Sequence, residues 1–121
     1  MNNNFNNFPY IYHTKGSANN RIPRVTIVGV VGDKTLDIAA SRCSKNDQFC
    51  KKQGRDIALN RLKKGQFIAQ IPVEEVSTNL TLHNFVDCAK LAADTVLKFG
   101  VHQKFAITLV PQPMKAICKI L

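Results

Sequence analysis

The chain has 121 residues, 45% of them hydrophobic, which suits one domain with a single core of modest size. Lysine and arginine number 17 against 8 acidic residues, so the formal net charge is +9. Such an excess of positive charge favours polyanionic partners, although it selects no particular anion. Neither a signal peptide nor an apolar run of membrane-spanning length can be recognised, so we expect a cytoplasmic protein without membrane contact.

The N-terminal segment differs in composition from the rest of the chain. Residues 1–20 are rich in asparagine, which predicts a flexible tail, and residues 21–121 are then the single domain. Tyr10-Ile11-Tyr12 nevertheless has strand character. Part of this tail is therefore a candidate for ordering against a neighbouring subunit.

Two runs rich in β-branched residues, Arg24–Val31 and Lys34–Cys43, flank Gly32-Asp33 and predict a β-hairpin. Pairing across that turn makes one face apolar on both strands. The expected partners are Val25 with Ala40, Ile27 with Ile38, and Gly29 with Leu36.

Further strands are predicted at Phe67–Ile71 and Lys104–Val110, each stopped by proline, while the segment 114–121 is ambiguous. Two helices fit between the strands. The expected fold is therefore α+β, with a small antiparallel sheet of about four strands and two α-helices packed on one face.

The second helix is the clearer of the two, with Thr81 as a plausible N-cap and Gly100 as its stop. Its inward residues recur at three- and four-residue steps. They are Leu82, Phe85, Ala89, Ala92, Val96 and Phe99.

The first helix is expected from about Lys45 to Lys64, capped by Ser44. Gly54 costs about 1 kcal/mol relative to alanine inside a helix, which suggests close approach of a backbone or a ligand unless the glycine is merely tolerated. The predicted inward arc is Cys50, Gly54, Ile57, Ala58 and Leu62.

Basic residues are concentrated between Arg42 and Lys64, with few acidic residues to offset them. Lys51 and Arg55 carry like charge at four-residue spacing, an arrangement that a bound anion would stabilise. Arg61 falls in the inward arc and needs a carboxylate, carbonyls or a phosphate, unless it reaches water at the helix end. Phosphate is the anion that these groups bind best, because arginine offers a planar fork of donors, lysine adds a point charge, and the start of the helix offers free N–H groups. The candidate ligand-binding residues are Lys51, Arg55, Arg61, Phe49, Arg42, Asn46, Gln48 and Arg24.

Catalysis and metal binding find little support in the sequence. The four cysteines match no paired metal-binding motif and are expected to be buried free thiols. No glycine-rich phosphate loop occurs, and the histidines are scattered. We therefore expect a protein without enzymatic activity, metal or cofactor.

The motif Ser44-Lys-Asn-Asp-Gln-Phe49, followed by Lys51-Lys-Gln-Gly-Arg55-Asp-Ile-Ala58 and Arg61, resembles the first-described family of Thoeris anti-defence proteins of phages. The similarity covers this helix, the hairpin before it and the long helix after it, but not the asparagine-rich tail. It implies a small α+β protein that forms a dimer or a ring of dimers in the host cytoplasm. The implied activity is sequestration of cyclic ADP-ribose signals, and of cyclic oligonucleotides as a further class, without cleavage. Lys51, Arg55 and Arg61 would face phosphates, and Phe49 or a later aromatic residue would support a base.

Two other classes of function remain open. A small basic phage protein that binds DNA or RNA would also use a basic helix on a sheet, and its affinity would fall steeply with salt. A protein that binds another protein would leave the like-charged pair Lys51 and Arg55 unexplained unless its partner is acidic.

Overall fold

A computed structural model describes residues 9–15, 23–31, 35–43, 50–72, 82–111 and 114–121. The α+β class is confirmed, and no helix in these ranges is long and apolar enough to cross a membrane. In chain order the described elements are β1 (Tyr10–His13), β2 (Val25–Val31), β3 (Thr35–Arg42), α1 (Lys51–Lys63), β4 (Ala69–Pro72), α2 (Leu82–Phe99), β5 (Phe105–Pro111) and β6 (Met114–Ile120).

Strands β1 to β4 form one antiparallel sheet in chain order. The hairpin of β2 and β3 is confirmed, but its register differs from the prediction by two residues, so Ile27 lies opposite Ala40 rather than Ile38. A shift of two residues keeps every side chain on the same face of the sheet. The apolar pattern therefore fits both registers and could not choose between them. The predicted turn at Gly32-Asp33 lies outside the described residues.

The two helices lie on opposite faces of this sheet, which corrects the prediction that both pack on one face. Phe85 of α2 belongs to a buried cluster with Ile27. Ala58 of α1 belongs to another, with Val28 and Ala39. Neighbouring side chains of a strand point to opposite faces, so Ile27 and Val28 lie on different faces of the sheet. The helices that pack against them therefore lie on different sides.

Helix α2 supplies much of the main core, and its predicted stop is confirmed. Gly100 has a φ of +97°, and its N–H donates to Val96 O at 2.8 Å, as expected for a glycine at a helix end. Phe99, predicted to face inward, is 56% exposed. Thr81, the predicted cap, lies outside the described residues. The buried side chains of α2 include Phe85, Cys88, Ala89, Ala92, Ala93 and Val96.

Helix α1 begins at Lys51 rather than near Lys45. Cys50 occupies the N-cap with an extended backbone and makes no side-chain capping hydrogen bond, while Ser44 lies outside the described residues. The buried arc is also narrower than predicted. Ala58 is fully buried, whereas Ile57 is 40% exposed.

The predicted strand at Lys104–Val110 exists as β5, but it pairs with β6 in a separate two-stranded sheet. The fourth strand of the main sheet is instead β1, which confirms the strand character of Tyr10-Ile11-Tyr12 and pairs it with β2 of the same chain. Phe105 N donates to Ile68 O at 2.9 Å, and this bond connects the start of β5 to the residue before β4.

Candidate functional site

The first turn of α1 lies against polar side chains of the sheet. Thr26 and Ser41 are partners across β2 and β3, and both are almost fully buried. A β-carbon on Gly54 would come within 2.5 Å of Thr26 Oγ1, and Ser41 Oγ donates to Gly54 O at 2.7 Å. The glycine therefore allows the close approach that its place inside a helix suggested.

His13 lies at the edge of this contact. It is the register partner of Thr26, and its Nδ1 is 2.8 Å from Thr26 Oγ1. Tyr10 and Tyr12 pack against the core on the α2 side, so strand alternation directs His13 to the α1 side. The imidazole and the first turn of α1 thus meet at the same threonine.

Three basic residues influence the protonation of His13. Arg24 precedes β2, and its Nε donates to Thr14 O at 2.9 Å. Lys51 and Arg55 occupy the first and second turns of α1. Burial lowers the pKa of His13 below its ordinary value, and the positive charges of Lys51, Arg24 and Arg55 lower that pKa further. These four residues, His13, Arg24, Lys51 and Arg55, are called the basic cluster below.

Asp56 offsets part of the positive charge on α1. It lies 3.1 Å from Lys52 Nζ, as its four-residue spacing predicted, and 3.5 Å from Arg55 Nε. The hydrogen bond from Lys52, with the charges of Lys52 and Arg55, lowers the pKa of the Asp56 carboxyl. Arg55 thus has a carboxylate neighbour that the sequence interpretation did not assign to it. Within the described residues, Lys51 forms no ion pair.

Arg61 anchors the other half of α1 to the sheet. On β3, Ile38 O accepts a hydrogen bond from Ile68 N, so this carbonyl points toward the edge of the strand where β4 pairs. Carbonyls two residues apart along a strand point the same way, so Ala40 O points toward that edge as well. The described pairing of β3 with β4 ends at Ile38, which leaves Ala40 O beyond it. Arg61 Nη1 donates to this carbonyl at 2.6 Å. A carbonyl was one of the partners that the sequence allowed for Arg61.

The other sequence candidates are distributed differently. Arg42 is exposed at the end of β3, and strand alternation puts it on the face of Ala40, which packs toward α2. It therefore lies on the opposite face from the basic cluster. Phe49, Asn46 and Gln48 lie outside the described residues.

All four cysteines are free thiols. Cys88 is buried and Cys43 and Cys118 are half-buried, but Cys50 is exposed, which corrects the expectation of buried thiols. In the described part of the chain, no group of three or more histidine, cysteine or acidic side chains could hold a metal ion.

A shallow depression of about 430 Å³ runs along the arc of α1 that faces away from the sheet. It shares no residue with the basic cluster. Its lining combines two amide side chains and the Lys52–Asp56 ion pair with the exposed apolar side chain of Ile57. The lining residues are Cys50, Lys52, Gln53, Asp56, Ile57 and Asn60.

Comparisons of the chain with protein-family models, with curated proteins and with solved structures found no match. The case for a function therefore depends on the residues of the site and on their geometry.

The sequence interpretation missed His13, which it counted among scattered histidines. The available signal was the alternation in Tyr10–His13, where the two tyrosines share one face and Ile11 and His13 share the other. Alternation alone does not reveal which helix covers that second face. The pairing of β1 with β2 brings His13 to the start of α1.

Proposed function

We propose that this protein binds and sequesters cyclic nucleotide signals without cleaving them, and so acts as a phage anti-defence protein. Cyclic ADP-ribose isomers are the first candidates and cyclic oligonucleotides the second. The observation that carries the proposal is the basic cluster, in which His13 and the first turn of α1 meet at Thr26 beside three basic residues. Phosphate is the anionic part of such ligands that this arrangement suits best.

The spacing of Lys51 and Arg55 supports binding of an anion between them. Like charges four residues apart cost a helix about 0.2 to 0.5 kcal/mol, and a phosphate group that bridges them would reverse the sign of that interaction. Arginine adds a planar fork of donors and lysine a compact charge. The N–H groups of the first turn of α1 add to the attraction, because the N-cap residue Cys50 makes no side-chain capping hydrogen bond to them.

Binding without cleavage is supported by the roles of the neighbouring groups. General acid–base catalysis needs a group that gains or loses a proton near the operating pH. The pKa of Asp56 is lowered by its pairing with Lys52, so this carboxylate stays ionised and engaged. His13 is the one histidine of the basic cluster, and in this proposal it contacts the bound anion and has no catalytic role.

We further propose that the protein forms a homo-oligomer, either a dimer or a ring of dimers. Large apolar side chains that are exposed in the single chain favour contact with another subunit. The exposed apolar residues near the C-terminal ends of α2 and of the chain are Phe99, Ile117, Ile120 and Leu121.

The test is replacement of Lys51 and Arg55 with alanine together, followed by calorimetric titration with cyclic ADP-ribose isomers and cyclic oligonucleotides. We expect affinity to fall by at least about 10- to 100-fold, because the loss of even one charge-assisted hydrogen bond costs about 1.5 to 3 kcal/mol. The free energy of unfolding should change by less than about 0.5 kcal/mol, since both residues lie at the surface of α1. Chromatography after the titration should recover the ligand unchanged.

The matched control is the double replacement Lys63→Ala and Lys64→Ala, which removes the same charge from the exposed far end of α1. A ligand held at the basic cluster should bind this control nearly as well as the parent. The second candidate function, binding of DNA or RNA, is favoured by the exposed lysines at both ends of the helix. It predicts that both double variants weaken binding similarly and reduce its salt dependence. Unchanged affinity of the Lys51 and Arg55 variant for a nucleotide that the parent binds would contradict the proposed site.

A further inference from the structure

The basic cluster differs from an ordinary basic surface because one of its four members can change its charge near neutral pH. Lysine and arginine side chains are ordinarily cationic throughout that range, whereas a histidine ordinarily titrates between about pH 5 and 8. His13 is held in place by Thr26, which Gly54 of α1 in turn contacts. The imidazole therefore lies next to the first turn of α1, and Arg24 is hydrogen-bonded to Thr14, the residue after His13.

We propose that His13 takes up a proton when a doubly negative tetrahedral anion or a pyrophosphate group binds at the basic cluster, and so becomes its fourth cation. This inference rests on the proposed function for the identity of the site. It adds that binding is coupled to proton uptake and is tighter in mild acid. The ligand class follows from charge, since a dianion offsets a fourth cation better than a monoanion does.

The charges around His13 set the direction of this coupling. Lys51 and Arg55 act from α1 and Arg24 acts from the residue before β2, and all three oppose a positive charge on the ring. From β2, Thr26 contributes a neutral hydroxyl. Asp56 is engaged with Lys52 and Arg55. An anion among the three cations removes their repulsion of a proton on His13, so binding raises the pKa of that ring.

The pH dependence of binding follows from this shift. When the pKa of His13 is higher in the complex than in the free protein, affinity is greatest below the pKa of the free protein. It falls as pH rises through the pKa of the complex. Each unit by which the two pKa values differ changes the dissociation constant about tenfold between the two limits. A group whose pKa did not respond to the anion would give no such dependence.

The experiment uses the full chain and sulfate, a tetrahedral dianion whose charge stays constant between about pH 5 and 8, where histidine titrates. The ring resonances of His13 are followed by nuclear magnetic resonance across that range, without sulfate and at saturating sulfate. We expect sulfate to raise the pKa of His13 and to bind about tenfold more tightly at the acidic limit of the range than at the basic limit. His102, which is exposed after α2, gives resonances in the same spectra that should respond far less.

His13→Gln is the matched variant, because its amide can keep a hydrogen bond to Thr26 without taking a charge. It should bind sulfate with no change of affinity across the same pH range. An unchanged pKa of His13 at saturating sulfate would overturn the inference, as would the absence of saturable sulfate binding. Since sulfate contains no nucleotide, a failure of cyclic nucleotides to bind would contradict the proposed function alone and leave this result standing.

Discussion

The two faces of the main sheet are packed in different ways. On the α2 side, Phe85 and Val96 are fully buried against apolar strand residues such as Ile27 and Ile38. On the α1 side, the fully buried apolar cluster is small and centres on Ala58.

The polar contacts of the chain concentrate on the α1 face. The first turn of α1 is positioned by Thr26, Ser41 and Gly54, and its second half by the hydrogen bond from Arg61 to Ala40 O. Hydrogen bonds have preferred directions, whereas apolar burial depends mainly on area. We infer that the α2 face mainly supplies stability and that the α1 face mainly fixes the orientation of the basic cluster.

The largest expected effect tests the α2 face. Phe85→Ala should lower the free energy of unfolding by about 3 to 5 kcal/mol, because it leaves a cavity where the ring packs against Tyr10 at a centroid distance of 5.2 Å. Urea denaturation followed by circular dichroism measures this loss. Phe99→Ala on the same helix is the control, and its effect should be much smaller because Phe99 is 56% exposed. Equal losses for the two variants would contradict the difference in burial.

A smaller effect is expected where Arg61 holds α1. Arg61→Met keeps the aliphatic bulk but leaves Ala40 O without its charged donor, which should cost about 1.5 to 3 kcal/mol of unfolding free energy. Lys63→Met, at an exposed position of the same helix, should cost little. If Arg61→Met instead kept full stability and lost affinity for cyclic nucleotides, the residue would be a ligand contact, as the family resemblance implies.

The smallest effect concerns Gly54. Alanine inside a helix is worth about 1 kcal/mol relative to glycine, but the new methyl group would overlap Thr26 Oγ1, and overpacking costs about 1 to 3 kcal/mol. Thr26 is 1% exposed and bonded to His13, so it cannot turn away easily. We therefore expect no gain in melting temperature for Gly54→Ala, whereas Asn60→Ala on the exposed arc should give a small gain. Stabilisation of Gly54→Ala by the full propensity difference would show that α1 can move off the sheet.

Periodicity predicted the elements of the fold better than their arrangement. The steps from Phe85 to Val96 specified α2, and Gly100 specified its end, because both signals are local in sequence. The register of β2 and β3 was wrong by two residues, since Ile27 can face Ala40 or Ile38 with the same side outward. The pairing of β5 with β6 was not predicted, although the two strands are neighbours in the chain, because the segment 114–121 gave no clear strand pattern.

The sequence by itself determined the charge, the α+β class and the concentration of basic residues that includes Lys51 and Arg55, because composition and helical spacing are properties of the chain alone. Only the tertiary structure decided that α1 and α2 cover opposite faces, and that His13 and Arg24 stand beside the first turn of α1. The physical reason is that strand alternation defines two faces without saying which helix covers each. The packing of Gly54 against Thr26 places α1 on one face, and the pairing of β1 with β2 brings His13, 38 positions before Lys51, to the same threonine.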